Sequence, residues 1–181
     1  MSKINVGSNV KFEGMSDEIL AKFKQAAIAG LTEAAGEIQA QVIRNTKTDT
    51  GQLKASWKYT VDESKMEVQI GSPLENAIWE EFGTGEYALE GNGRRTPWYI
   101  PVDGYKGHKK PTFNGKVIIV YGKNGKAFYK TNGKQPRRTL HKAFKDKKAK
   151  VEAIITEKFK EKMKWLKKQS DILTASLKKQ A

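Results

Sequence analysis

The chain has 181 residues, 38% of them apolar, and a formal net charge of +14, which suits one domain with an appendage. It contains no cysteine, which excludes disulfide frameworks and thiolate metal centres. No apolar run reaches the roughly eighteen residues of a membrane span, and Met1-Ser2-Lys3-Ile4-Asn5-Val6 lacks the apolar core of a secretion signal, so a cytoplasm-like compartment is expected.

Ser16-Asp17-Glu18 reads as a helix start, with a capping hydroxyl followed by two acids in the positive first turn. Leu20, Phe23, Ala27, Leu31, Ala34, Ile38 and Val42 then recur at three- and four-residue steps as one apolar stripe, ending near Asn45. Gly30 and Gly36 interrupt this helix and suggest close packing against a neighbouring element. Asp49-Thr50-Gly51 is turn chemistry, an aspartate able to cap a local amide beside a glycine free to take positive φ. It reads as a switch from helix to strand.

Ala55 to Val61 and Glu67 to Ile70 are expected as strands joined through Asp62-Glu63-Ser64-Lys65, with Trp57, Tyr59 and Val61 on the buried side. Pro73 to Phe82 reads as a short helix with Ala77, Ile78 and Phe82 inward, and Gly83 as its C-cap. The glycine-rich stretch Gly83 to Thr96 reads as a surface loop. Trp98 to Val102, Val117 to Tyr121 and Lys126 to Lys130 look like further strands, the last two joined by an Asn124-Gly125 hairpin turn. From Pro136 the pattern is helical again, with Leu140, Phe144, Val151, Ile155, Phe159, Met163 and Leu166 on one face. Ser170-Asp171 reads as the cap of a final short helix carrying Ile172, Leu173 and Leu177.

The predicted fold is therefore α+β: a long N-terminal helix, an antiparallel sheet of four to five strands and a long C-terminal helix. Residues 134–181 carry 16 Lys/Arg against 5 Asp/Glu, so the charge belongs to the C-terminal end. The expected organisation is an α+β domain at 1–145 and a basic amphipathic helical extension at 146–181. A continuous helix from 136 would span about 70 Å at 1.5 Å per residue, several times the ~14 Å radius of gyration of the preceding domain. It must fold back or reach a neighbour, and Ile155, Phe159, Met163, Trp165, Leu166, Leu173 and Leu177 are its candidate anchors on another subunit. Lys106, Lys109, Lys110, Arg137, Arg138, Lys147 and Lys148 are the candidate contacts to DNA or an acidic partner. Lysine outnumbers arginine 29 to 5, which favours non-specific attraction over the forked recognition arginine provides.

Catalytic signatures are wanting. Asp-Thr-Gly also occurs in aspartic proteases, but here it occurs once and follows Arg44-Asn45-Thr46-Lys47-Thr48 rather than an apolar strand. Gly83-Thr84-Gly85 and Gly91-Asn92-Gly93 lack the Gly-Lys-Ser/Thr ending of a phosphate loop. His108 and His141 have no partner at ligand spacing. No enzyme, cofactor or metal is expected. Trp57 and Trp98 sit in strand patterns and read as core, whereas Trp165 on a lysine-rich helix reads as an interface residue.

Three phrases in order, Asp49-Thr50-Gly51-Gln52-Leu53-Lys54-Ala55-Ser56-Trp57, Trp79-Glu80-Glu81-Phe82-Gly83-Thr84-Gly85 and Gly133-Lys134-Gln135-Pro136 leading to Leu140, Ala143 and Phe144, resemble the head–tail joining (neck, or tail-completion) proteins of tailed bacteriophages. The positions carrying the resemblance are Asp49, Thr50, Gly51, Leu53, Ser56, Glu81, Phe82, Gly83, Thr84, Pro136 and Ala143, which it implies are fold-defining. It implies a virion structural protein, a homo-oligomeric ring of six or twelve, with neighbouring neck, connector or tail-tube proteins as partners and assembly in the host cytoplasm. Channel DNA is a further non-specific partner, and no membrane is implied. Arg137 and Arg138 depart from the apolar residues that commonly follow the family's proline, and the segment past Lys160 has no family counterpart. The rival readings are a non-specific nucleic-acid-binding protein and the same component in a headless, tail-like bacterial particle.

Overall fold

The computed structural model describes residues 3–4, 17–47, 51–107 and 109–180. Its elements run in chain order as β1 (Lys3–Ile4), α1 (Asp17–Asn45), α2 (Gln52–Ser56), β2 (Lys58–Asp62), β3 (Glu67–Gly71), α3 (Glu75–Phe82), β4 (Trp98–Pro101), β5 (Ile118–Tyr121), β6 (Ala127–Thr131) and α4 (Thr139–Gln180). The fold is α+β with long N- and C-terminal helices, as the sequence predicts. The strands divide, however, into two antiparallel three-stranded sheets, ordered β1-β3-β2 and β4-β6-β5, rather than one. No helix of the described residues is long and apolar enough to cross a membrane.

Contacts gather into two compact units, each built from separate stretches of chain. The first comprises residues 1–41, 57–71 and 143–181. Its core sets Phe23, Leu31, Ala34, Ala35 and Ile38 of α1 with Trp57 just before β2, Val68 and Ile70 of β3, and Ala143 and Ile154 of α4. The β2–β3 hairpin is registered Tyr59↔Ile70 and Val61↔Val68, so its alternating apolar residues share a face. At its turn, Asp62 Oδ1 accepts the Ser64 hydroxyl and the amides of Ser64 and Lys65. The Ser64 hydroxyl first, then the Lys65 amide and ammonium, hold that carboxyl down at about 2.

α4 lies antiparallel along α1 within this unit. Phe23 stacks on Phe159 with ring centroids 6.0 Å apart. A Cβ on Gly30 would lie 3.5 Å from Ile155 Cα, so the missing side chain lets the two backbones approach, as its place in the helix suggests. Gly36 meets nothing and has no such role. Ion pairs flank the seam, Lys158 to Glu33 at 3.0 Å and Lys150 to Glu37 at 2.8 Å, with Lys147 at 3.6 Å from the same carboxylate. Hydrogen bonding by Lys150 leads the effects that hold the Glu37 carboxyl below its ordinary value.

The second unit comprises residues 42–56 and 72–142 and holds α2, α3 and the β4-β6-β5 sheet. Val42, Ala77, Tyr129 and Leu140 are its buried apolar residues, joined by the buried polar groups Thr46, Glu80, Glu81, Thr131, Asn132 and Thr139. The Asn124-Gly125 turn joins β5 to β6 as expected, with Gly125 at φ +73°.

Several local expectations shift. Gln52–Ser56 is a short helix, so the strand expected from Ala55 begins at Lys58. Of the residues expected inward on this helix, Ala77 is buried and Phe82 half-buried, but Ile78 points out at 57% exposure, and Glu80 and Glu81 are buried beside them. α4 runs unbroken through Ser170-Asp171, with no second helix there. Ser16 lies outside the described residues.

Candidate functional site: a junction of two helix ends

α3 ends and α4 begins at the same place, and the short phrases of the sequence are what tie them. Eight residues form α3, and its last turn leaves carbonyls without intrahelical partners. The Glu80 carbonyl receives the amides of Arg137 (2.7 Å) and Arg138 (3.1 Å), which precede α4 and are themselves unpaired by helix. Orphan donors of one helix thereby satisfy an orphan acceptor of the other.

Glu81 completes the exchange. Its carboxylate accepts the Leu140 amide at 2.8 Å and the His141 amide at 3.0 Å, and Thr139 Oγ1 lies 3.5 Å away. Those are first-turn amides of α4, where a negative charge meets both free N–H groups and the positive end of the helix dipole. Thus a residue some sixty positions upstream caps α4. Glu80, next door, turns the other way: it binds the Lys134 ammonium, and Arg137 Nη1 lies 3.0 Å from its Oε2. Adjacent helical residues point apart, which is why two neighbouring buried carboxylates reach separate positive partners.

Gly83 follows with φ +75° and ψ −178°, and its amide donates to the Trp79 carbonyl at 3.0 Å. A Cβ here would meet Tyr87 O at 2.8 Å and Lys134 O and Pro136 Cδ at 2.9 Å. Both the backbone angle and the space exclude a side chain. Thr84 donates its amide to Lys134 O (2.9 Å) and accepts the Lys134 amide on Oγ1 (3.0 Å). The Phe-Gly-Thr turn and the Pro136 segment are therefore one piece of structure. Asn132 extends it, its Nδ2 donating to Glu86 Oε2 (2.7 Å) and Asn114 Oδ1 (2.9 Å).

The first phrase meets α3 at its other end. Gly51 has φ +81° and offers its carbonyl to the Ala55 amide, starting α2. Ser56 Oγ donates to Leu53 O (2.8 Å) and lies 2.7 Å from Ser72 Oγ, which accepts the Leu74 amide just before α3. Leu53 is half-buried, and Asp49 and Thr50 lie outside the described residues. Ala143, fully buried, belongs to the core of the first unit.

The other singled-out residues separate into engaged and exposed sets. Arg137 and Lys147, candidates for an external acidic partner, are paired with Glu80 and Glu37 of the same chain. Lys106, Lys109, Lys110 and Lys148 are exposed; Arg138 is half-buried at φ +54°. Of the candidate anchors, Phe159 and Ile155 face α1, and Trp165 is half-buried beneath Lys22, whose ammonium sits 4.1 Å from the ring centroid. Those three are satisfied within the chain because α4 folds back. Leu166 is half-buried and Met163 is 57% exposed. The side chains of Leu173 and Leu177 lie outside the described residues. Trp57 is core, at 3% exposure.

Sequence reading missed Glu80, Lys134 and Asn132. The available signal was a Glu-Glu pair on the apolar side of a short helix, where two charges need two partners. Among the described residues, no cluster of three or more acidic or imidazole groups could hold a metal ion.

Comparison with curated proteins and with solved structures finds no match. Residues 11–83, which run through the first phrase and end on Gly83 of the second, match the model of the HK97-gp10-like family, described as "Bacteriophage HK97-gp10, putative tail-component". The match fits the resemblance to head–tail joining proteins: over that stretch the chain is similar to a phage tail component.

Proposed function

We propose that the protein is a ring component of the phage neck or tail-completion layer, joining tail to head or closing the upper end of the tail tube. The observation that carries this reading is the junction itself. The ordered phrases that give the resemblance are spent on backbone caps, a side-chain-excluding glycine and helix-end exchange. Their described residues build a piece of scaffold, and no cluster of groups that could hold a metal ion lies among the described residues. The ring holds six copies, with twelve as the alternative, and contacts neighbouring neck, connector or tail-tube proteins. It assembles in the host cytoplasm, and the exposed lysines face acidic protein surfaces or channel DNA without sequence preference. In a headless tail-like particle the same component would cap the tube.

Cryo-electron microscopy of the assembled particle tests this. A closed ring of six or twelve copies at the upper end of the tail is the expected result. A single copy per particle, or a position at the tail tip, overturns it.

A further inference from the structure

The second unit carries two exposed apolar patches of opposite electrostatic surroundings. One is on α3: Ile78 is 57% and Trp79 44% exposed, and Leu89, exposed too, is tied by its amide to the Phe82 carbonyl at the helix end. Glu75 lies on this helix and Glu86 and Glu90 on the segment that follows it, all three exposed, with exposed Arg94 and Arg95 further along the chain. The other is on β5. Val117, just before the strand, and Ile119 and Tyr121 within it alternate in sequence, all exposed, Tyr121 at 75%. β5 is an edge, paired with β6 alone among the described strands, and Lys116, Lys123 and Lys126 are exposed at its two ends.

An exposed apolar edge strand invites pairing with another chain, and large apolar side chains clustered on a surface mark contact sites. Rings close through heterologous interfaces, in which two different patches of one subunit meet across copies. Opposite charge about two such patches selects the pairing and disfavours like patches meeting. We propose that the acidic-rimmed α3 patch of one copy docks on the lysine-flanked β5 stripe of another copy of this chain. The inference rests on the ring reading only in taking the partner to be a second copy. The β5 patch lies wholly outside the segment that matches the tail-component family.

The absence of cysteine makes the test direct. Full-length Trp79→Cys and Tyr121→Cys variants, each checked for unchanged melting temperature, are mixed and treated with a short bismaleimide, in solution and in assembled particles. Mixed cross-linking is expected to exceed that of either variant alone by several-fold. Adding Lys123→Glu and Lys126→Glu to the Tyr121→Cys chain is expected to suppress it, and Glu75→Lys with Glu90→Lys on the Trp79→Cys chain to restore it. Homotypic cross-links only, cross-linking indifferent to charge reversal, or none in solution and particles alike would each overturn the pairing. Indifference to charge would mean that the lysines merely blunt a strand edge. A charge-dependent cross-link in a particle that images without a ring leaves the pairing standing and removes the ring reading.

Discussion

Removing the Glu81 carboxylate isolates the contribution of the junction. In Glu81→Ala, the Leu140 and His141 amides lose acceptors at 2.8 and 3.0 Å. Both are charge-assisted bonds, each with a net worth of about 1.5–3 kcal/mol. Glu81 is only 8% exposed and Leu140 5%, so water replaces the carboxylate poorly at the Leu140 amide, whereas His141 is exposed and its amide regains water more readily. The helix dipole adds up to about 1 kcal/mol. Water admitted by the truncation recovers part of this sum, leaving an expected loss of about 3 kcal/mol, or roughly 6–12 °C in melting temperature for a chain of this size. Glu81→Gln keeps one acceptor oxygen without charge and should lose about half as much. Urea unfolding and differential scanning calorimetry of the three proteins measure it. A Glu81→Ala protein melting within about 2 °C of the parent would show that α4 does not depend on this cap.

Gly83→Ala should cost about 3 kcal/mol, because positive φ and three contacts at 2.8–2.9 Å act together, whereas Gly51→Ala, with φ +81° and open space, should cost about 1 kcal/mol; equal losses in urea unfolding would contradict the steric account. Arg138→Gly should stabilise by about 0.5 kcal/mol, since Arg138 holds φ +54°, and a lower melting temperature would mean that its side chain contributes more than its backbone strain removes. Asp62 is held at about 2 against an ordinary 3.8, so its folded form keeps a charge that the unfolded chain gives up first. Its stabilisation is present above the ordinary value and fades as pH falls from about 4 toward about 2. Asp62→Asn should flatten melting temperature against pH in that window alone. Truncation after Leu166 removes residues 167–181, of which Lys167–Ile172 are all exposed, and should leave melting unchanged, whereas truncation after Lys147 removes the Phe159, Ile155 and Lys158 contacts to α1 and should unfold the first unit.

Periodicity made the elements legible wherever one face is apolar and the other wet. α1 ends at Asn45 as the stripe implies, and the Asn124-Gly125 hairpin follows from turn chemistry alone. Sheet membership was not legible. Alternation tells which face of a strand is buried but not which strand lies beside it, so two sheets of three read as one. α3 failed for a related reason. Its most buried positions include two glutamates, because their partners lie more than fifty residues away in Lys134, Arg137 and the start of α4. A hydrophobicity rule assigns charge to the outside unless the compensating charge is also in view.

The long basic helix turns on the same point. Counted along the chain, residues 134–181 carry an excess of eleven positive charges and suggest an arm seeking an anion. In the folded chain some of those anions are already supplied: Glu80 engages Lys134 and Arg137, Glu37 engages Lys147 and Lys150, and Glu33 engages Lys158. Charge density in sequence thus overstates the charge left for a partner. Phe159 against Phe23 and Ile155 against Gly30 account likewise for apolar positions that a free arm would present. Among its described side chains, the large apolar residues that α4 leaves exposed are Met163 and Ile172, nine positions apart along the helix. The extensive exposed apolar surface is instead on α3 and β5, with glutamates about one and lysines about the other. A subunit that pairs part of its basic helix internally and displays apolar patches elsewhere is suited to association through those patches. Within the chain the basic helix braces α1 through Phe159, Ile155 and Lys158.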